Sequence, residues 1–271
     1  GASANDVVEM VAFDVFSVND SVSAKDGGSF AGNVAMAGDL TVDTSTLKVD
    51  STNNRVGVGT ASPSVLIHGN GSSVSALLLT TNSYTSGTEF KVQGDGAAYI
   101  YNKENAMLRF GTNNLERMRI DATGAVTMPS QPAFSVHKNG ADQSNMAIAD
   151  TTVTWTHERF DANADFNLTN NNFVAPVTGK YFLNFMARLE AVDTGAAFYL
   201  ANIVTSNQVY RYIIDPNFSA DLNYFKVQVT VLADMDASDT AHVSFVQNGG
   251  TQQTDIDGDA TETFFMGHLV A

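Results

Sequence analysis

Hydrophobic and polar residues alternate along much of this chain with the period of two that is typical of β-strands. The alternation is strongest in residues 181–189 and 225–231, where every second side chain is apolar. Val243 and Phe245 form another apolar face, and residues 263–270 are predicted to form the last strand. Strands at such short, regular intervals predict a β-sandwich or a jelly roll in the second half of the chain.

The first half shows shorter units of the same kind. Residues 47–58 are predicted to form a strand, a turn from Asp50 to Asn54 and a second strand, and residues 118–128 repeat this unit with Gly124 in the turn. Hairpins this short cannot bury a core of their own. No heptad pattern indicates a coiled coil. We therefore expect a β-rich shaft over residues 33–130, completed by stacking of hairpins or by winding of three chains.

Two prolines, Pro129 and Pro132, mark the predicted end of this shaft, because proline is disfavoured in a continuing strand ladder. The head is then residues 131–271. Residues 1–32 contain one dense apolar segment, residues 5–18, and are predicted to be an attachment segment. Two interpretations of that segment stay open: a first strand or short helix packed on its own trimer, or a plug that fits into a larger assembly.

Composition excludes several classes of function. The formal net charge is −15, which argues against nucleic acid as a partner, because phosphate binding needs a basic face. Cysteine is absent, so disulfides and thiolate metal sites are excluded. No apolar run is long enough to insert into a membrane as a helix. Stability beyond the core must come from packing or from association.

Catalytic motifs are also missing. The five histidines show no i, i+4 pair of the zinc-protease type, and the segment 27–31 lacks the last glycine of a nucleophile elbow. We therefore predict that the protein is not an enzyme and carries no catalytic residues and no organic cofactor. A polysaccharide-degrading spike remains the minor alternative, because Asp and Glu are plentiful enough for a two-carboxylate hydrolase.

One acidic turn is a candidate metal site. Asp255, Asp257 and Asp259 place three carboxylates within five residues between two strands, and calcium prefers such oxygen ligands. The alternative is a solvated acidic turn that keeps the head soluble. A cluster of tyrosines has two interpretations as well, a sugar-stacking site or packing between protomers. Its members are Tyr199, Tyr210, Tyr212 and Tyr224.

The spacing of large residues in segment 155–185 and in the last strand resembles a known family. Asp161 lies between the first two of them, and Trp155 and Leu183 stand where phenylalanine is commonest. The pattern resembles the globular head shared by complement component one-q and the tumour-necrosis-factor superfamily, which implies a homotrimeric jelly roll. The resemblance assigns eight residues to the head core or to trimer packing: Trp155, Phe166, Phe173, Gly179, Tyr181, Phe185, Phe264 and Gly267.

Two shaft segments, residues 38–64 and 110–126, resemble the repeated phrases of bacteriophage tail and neck fibres. This resemblance implies a homotrimeric structural protein of the virion, on a tail, neck or capsid appendage. Its attachment segment would dock on other virion proteins, and its head would adhere to a glycan or protein of the host surface. The alternative is a non-adhesive neck or capsid decoration fibre whose head only registers and caps the trimer.

Overall fold

The structure is a computed structural model that describes residues 37–42, 46–71, 74–80, 83 and 86–271. The predicted attachment segment, residues 1–32, lies outside these residues. The described part of the chain forms 22 strands and is all-β, as the alternation predicted. A search of that part for a helix long and apolar enough to cross a membrane found none.

The chain divides into two compact units, one that ends at Glu104 and one from Asn105 to Ala271. The predicted boundary at Pro129 and Pro132 falls inside the second unit, where it separates a small sheet from the first strand of the sandwich. The ten strands before this boundary are β1 (Leu40–Val42), β2 (Leu47–Asp50), β3 (Arg55–Val58), β4 (Ile67–Gly69), β5 (Val74–Leu79), β6 (Thr88–Gln93), β7 (Ala98–Asn102), β8 (Leu108–Thr112), β9 (Leu115–Ile120) and β10 (Val126–Thr127).

These ten strands form three small sheets, with the orders β1-β2-β3-β4, β5-β6-β7 and β10-β9-β8. Every pairing is antiparallel except β3 with β4. Both predicted hairpins are present, as β2–β3 and β9–β10. In the second hairpin, Asp121 Oδ1 accepts hydrogen bonds from the N–H groups of Thr123 and Ala125, at 2.8 and 3.0 Å, and Gly124 has a φ of 92°. The turn therefore forms through the side-chain-to-backbone bonds that its sequence predicts.

Twelve strands follow in the head. They are β11 (Ala133–His137), β12 (Asp150–Thr152), β13 (His157–Asp161), β14 (Phe166–Asn167), β15 (Asn172–Val174), β16 (Gly179–Val192), β17 (Ala196–Thr205), β18 (Val209–Ile214), β19 (Leu222–Met235), β20 (Thr240–Gly249), β21 (Asp255–Ile256) and β22 (Phe264–Leu269).

The head strands form two sheets. The first sheet has the order β13-β11-β22-β16-β19, with β21 paired to β16, and the second has the order β14-β15-β20-β17-β18, with β12 paired to β20. From β15 to β22 the chain passes repeatedly from one sheet to the other, and all pairs are antiparallel. This strand order is that of a jelly roll. The fold class expected for the head is therefore confirmed.

The core lies between the two sheets. Aromatic rings meet across it: Phe134 of the first sheet lies with its ring centroid 4.7 Å from that of Phe173 in the second, and 5.1 Å from that of Phe166. Along β16, the predicted inward set from Tyr181 to Leu189 is buried at every second position. The strict alternation in the sequence therefore faces this core, as period-two burial requires.

Candidate interaction surfaces

The outward face of the first sheet is more apolar than a solvated sheet face usually is. Phe182 and Met186 of β16 and Phe264 and Met266 of β22 point away from the core and are only partly buried, and Leu232 of β19 is 59% exposed. Register places Met186 beside Phe264, and Phe182 beside Leu232. These side chains form a continuous apolar surface on the two central strands and β19.

A polar cluster lies within that surface. Asn184 is 4% exposed although it points outward, and its Oδ1 accepts hydrogen bonds from Gln228 Nε2 at 2.9 Å and from Thr230 Oγ1 at 2.6 Å. Since all three side chains belong to neighbouring positions on β16 and β19, the cluster is fixed by strand register. Gln228 and Thr230 are exposed, so the face combines these polar groups with the apolar side chains around them.

The same face carries a basic side chain, Arg188, near the C-terminal end of β16. The Arg188 guanidinium pairs with Asp257 at 2.7 Å and with Glu190 at 2.9 Å, and it lies 5.1 Å above the ring of Tyr224. Tyr224 is 64% exposed. Two carboxylates and an aromatic ring hold the Arg188 guanidinium in one orientation. A molecule that contacts this group would therefore meet a fixed positive charge.

A group of basic side chains, of which Arg159 carries the permanent charge, lies on β11 and β13. The rings of His137 and His157 stack at 5.8 Å, and the Arg159 guanidinium lies 5.5 Å above the ring of Phe264. Burial lowers the pKa of His137 below its usual value of 6.5, and the charges of Arg159 and His157 lower that pKa further. His137 is therefore held neutral at physiological pH, next to a permanent positive charge.

The eight residues assigned to the head core or to trimer packing lie at different places. The core contains five of them, each at most 5% exposed: Trp155, Phe166, Phe173, Tyr181 and Phe185. The glycines lie where a side chain has no room: a Cβ at Gly179 would come within 2.6 Å of the Ala271 carbonyl oxygen, and a Cβ at Gly267 within 2.9 Å of the Phe182 carbonyl oxygen.

Phe264 is the exception among these eight residues. It belongs to the outward face, and Phe265 occupies the core position with 0% exposure. Because Gly267 points inward, the period of two requires Phe265 inward and Phe264 outward. The sequence offered two adjacent phenylalanines, and only the register of β22 against β11 and β16 distinguishes them.

The three acidic residues proposed for calcium have separate partners. Asp255 Oδ1 accepts a hydrogen bond from Asn145 N at 2.6 Å, Asp257 pairs with Arg188, and Asp259 Oδ1 accepts a bond from Thr261 N at 2.7 Å. Hydrogen bonds from Thr261 lower the pKa of Asp259. Among all the residues that the structure describes, no group of three His, Asp or Glu side chains is arranged to hold a metal ion. Asp257 is itself only 6% exposed, so its pairing with Arg188 anchors the turn to β16 and the segment is not a fully solvated loop.

The four tyrosines do not form one surface. Tyr199 is fully buried, and its hydroxyl accepts a hydrogen bond from Asp193 N at 3.0 Å and contacts Thr254 Oγ1 at 2.9 Å. Tyr210 packs partly against the core, whereas Tyr212 and Tyr224 are 44% and 64% exposed. A single sugar-stacking platform built from all four is excluded.

Sequence reasoning missed the buried lysine Lys138. This lysine is 2% exposed, and its Nζ donates to Thr154 O at 3.0 Å, to Thr154 Oγ1 at 3.2 Å and to Gln143 Oε1 at 3.3 Å. Burial lowers its pKa to about 8. No local pattern announces this site, because its acceptors come from chain segments 5 and 16 residues away.

The strands before Pro129 present a different kind of surface. Among the described residues, every buried apolar side chain of the core lies at or beyond Phe134. Strand and loop residues of the first unit expose large apolar side chains instead, with Ile67 73%, Leu66 70% and Leu77 59% exposed. Exposed apolar surface of this extent marks a site of association.

The strand order and the two packed sheets define the head as a jelly roll of an all-β protein. Among solved structures, the globular domain of zebrafish complement 1qA protein is similar, with 18% identity and a TM-score of 0.38 over 52% of this chain and 98% of that chain. Murine APRIL is also similar: its structure at pH 8.5 shows 11% identity and a TM-score of 0.39, and its structure at pH 5.0 shows 12% and 0.38, each over 52% of this chain and 99% of that chain. Neither a protein-family model nor a curated protein matches the chain.

Proposed function

We propose that this chain is the subunit of a homotrimeric fibre, with a shaft that holds three copies together and a jelly-roll head. The observation that carries the proposal is the distribution of the core. The strands of residues 37–127 expose apolar side chains and enclose no core of their own, so a stable shaft needs apolar surface from other copies. Burying such surface contributes about 25 cal/mol per Å².

The head supports the same conclusion with a second surface. The apolar outward face of the first sheet differs from the edge where the exposed Tyr212 and Phe218 lie. A contact between two different surfaces is heterologous, and it closes into a ring when the rotation between copies divides a full turn. We infer a ring of three, in agreement with the sequence resemblance to trimeric heads.

The fibre is further proposed to belong to a bacteriophage virion, as a tail, neck or capsid appendage. Support comes from the resemblance of residues 38–64 and 110–126 to the shafts of such fibres. In this role the N-terminal segment docks on other virion proteins, and three heads contact a host-surface glycan or protein. Three linked weak sites exceed one site in avidity by orders of magnitude where geometry permits simultaneous contact.

Sedimentation of the full chain at micromolar concentration tests the trimer. We expect one species with three times the subunit mass of 28.9 kDa. Leu232→Lys, on the outward face of the first sheet, should weaken the association. Ile148→Lys is the matched control, because Ile148 is also exposed (45%) but lies outside that sheet. A folded monomer of the unchanged chain would overturn the proposal.

Two measurements test the role of the fibre. Antibodies against the head should label purified phage particles at a fixed position in electron micrographs, and absence from the particles would exclude the virion assignment. Fluorescent full-length protein should then bind saturably to the bacteria that these particles infect. Labelled particles without cell binding would leave the head as a cap of the trimer, and release of reducing ends from host glycan would instead reveal a degrading spike.

A further inference from the structure

One end of the head contains a cleft of about 520 Å³. It lies between the β14–β15 hairpin, the segment that leads into β16 and the turn between β19 and β20. Its lining includes Asp165, Phe166, Leu168, Val174, Pro176 and Ser238. The cleft is separate from the outward face of the first sheet, since it is formed mainly by the edge of the second sheet and by two loops.

A single carboxylate dominates the electrostatics of the cleft. Asp165 is the sole ionisable residue among those that line it. Its Oδ2 receives one long hydrogen bond, from Asn163 Nδ2 at 3.4 Å. The nearby Asp161, by contrast, accepts two backbone bonds, from Asp165 N at 3.0 Å and Phe166 N at 2.9 Å. Among the described residues, Asp165 therefore has most of its hydrogen-bond accepting capacity uncommitted.

The surroundings of Asp165 disfavour its charge. Burial raises the pKa of Asp165, the Asn163 bond lowers it again in part, and the neighbouring charge of Asp161 raises it. The same carboxylate adds to the raised pKa of Tyr181, for which burial is the largest cause. A positive group in the cleft would relieve both effects, because an opposite charge within about 4–6 Å stabilises a carboxylate.

The remaining lining is apolar or neutral. Leu168 and Pro176 line the cleft together with Val174, which is 36% exposed at the end of β15, and Phe166, which is 5% exposed. Ser238, with a φ of 77°, adds a hydroxyl at the turn between β19 and β20. Asn167 adds an amide. One carboxylate, two neutral polar side chains and largely apolar walls match a ligand with one cationic end and a compact frame.

We propose that this cleft binds a small organic cation, a primary ammonium on an aliphatic or sugar frame, with Asp165 as the counter-ion. Two sources share this chemistry: an amino sugar of a surface glycan and a lysine-like alkylamine. The site is a property of one head and does not depend on the trimer, so it goes beyond the proposed fibre. If the protein is monomeric and still binds amines, the fibre proposal is wrong and the proposal for the cleft stands.

Saturation-transfer NMR on the full-length protein tests the site with three probes: glucosamine, cadaverine and N-acetylglucosamine. The first two carry an ammonium, and the third has the same sugar frame without the charge. We expect transfer to glucosamine, to cadaverine or to both, which identifies the source, and none to N-acetylglucosamine. Equal transfer to the uncharged sugar, or no transfer to either amine at millimolar concentration, would overturn the proposal.

Two variants locate the binding. Asp165→Asn keeps the shape of the side chain and should weaken amine binding at least about tenfold, which corresponds to about 1.4 kcal/mol. Glu158→Gln removes one charge from an exposed position of the same head and should leave binding unchanged. Undiminished binding by Asp165→Asn contradicts the assignment. Should that variant fail to fold, titration of the unchanged protein decides: binding must disappear as acid protonates Asp165, and pH-independent binding contradicts the proposal.

Discussion

The predicted shaft and the head use the same element, the antiparallel strand, and differ in where its apolar side faces. In the head, β16 buries Tyr181, Leu183 and Phe185 completely against the second sheet. In the shaft, Leu77 on β5 and Phe90 on β6 are paired in register and remain 59% and 44% exposed. The comparison shows that alternation identifies a strand but does not say whether its partner surface lies in the same chain.

The largest effect on stability is expected in the head, whose core is formed within one chain. Phe185→Ala removes a fully buried ring and should lower the free energy of unfolding of the head by about 3–5 kcal/mol. Denaturant unfolding followed by the fluorescence of Trp155, which lies 6.2 Å from Phe185 between ring centroids, measures the change. A loss below about 1 kcal/mol would contradict a tightly packed core around Phe185.

The stability of the predicted shaft should depend on protein concentration instead. Ile67→Ser removes an apolar side chain that is 73% exposed in the single chain, so the stability of an isolated subunit should change little. If three copies bury this side chain, the variant should lose about 1.5–3 kcal/mol per subunit. The melting temperature should then fall on dilution more steeply than in the unchanged protein.

Lys103→Ser is the control for this experiment, because it changes an exposed charged residue of the same unit. If Ile67→Ser and the unchanged protein melt at the same temperature at every concentration, the side chain of Ile67 is not buried by other copies.

Substitution of one glycine in each of the two regions tests the same comparison, with a smaller expected effect on stability. A Cβ at Gly267 would lie 2.6 Å from Leu183 Cδ2 and 2.9 Å from Phe134 Cε1, whereas a Cβ at Gly69 on β4 meets no atom within 4 Å. Gly267→Ala should destabilise the head by about 1–3 kcal/mol through overpacking. Gly69→Ala should change stability by less than about 0.5 kcal/mol in the isolated chain.

The glycine at position 69 also reports on association. A trimer in which another copy approaches the backbone at Gly69 would make Gly69→Ala costly, and calorimetry of both variants distinguishes this outcome from an open surface.

The smallest effect is expected from pH. Burial is the largest cause of the lowered pKa of His137 and of His242, whose ordinary value is 6.5. Below that value the unfolded chain binds protons that the folded head does not, so stability is complete above about pH 6.5 and falls as the pH decreases. The melting temperature of the head should drop between about pH 7.5 and pH 5.

Substitution of both histidines by Gln should flatten this pH dependence, whereas His268→Gln, at an exposed position of the first sheet, should leave it intact. A pH profile that survives the double substitution would point to carboxylates as its cause.

Local patterns were sufficient for the all-β fold, for both shaft hairpins and for the inward set of β16 and β19. They were insufficient wherever the deciding neighbour is distant in the chain. Asp257 meets Arg188 across 69 residues and Asp255 meets Asn145 across 110, so the acidic turn could not be distinguished from a calcium site by spacing. The choice between Phe264 and Phe265 likewise required the register of three strands.

The first strand of the head bears on how load would be carried in the proposed fibre. Strand β11 enters directly after Pro132 and is hydrogen-bonded along both sides, to β13 and to β22. Antiparallel bonds run perpendicular to the strand, so a pull along the incoming chain stretches the whole row at once and does not open it one bond at a time. Tension transmitted from the shaft would therefore meet a shear-resistant anchor at the point where the head begins.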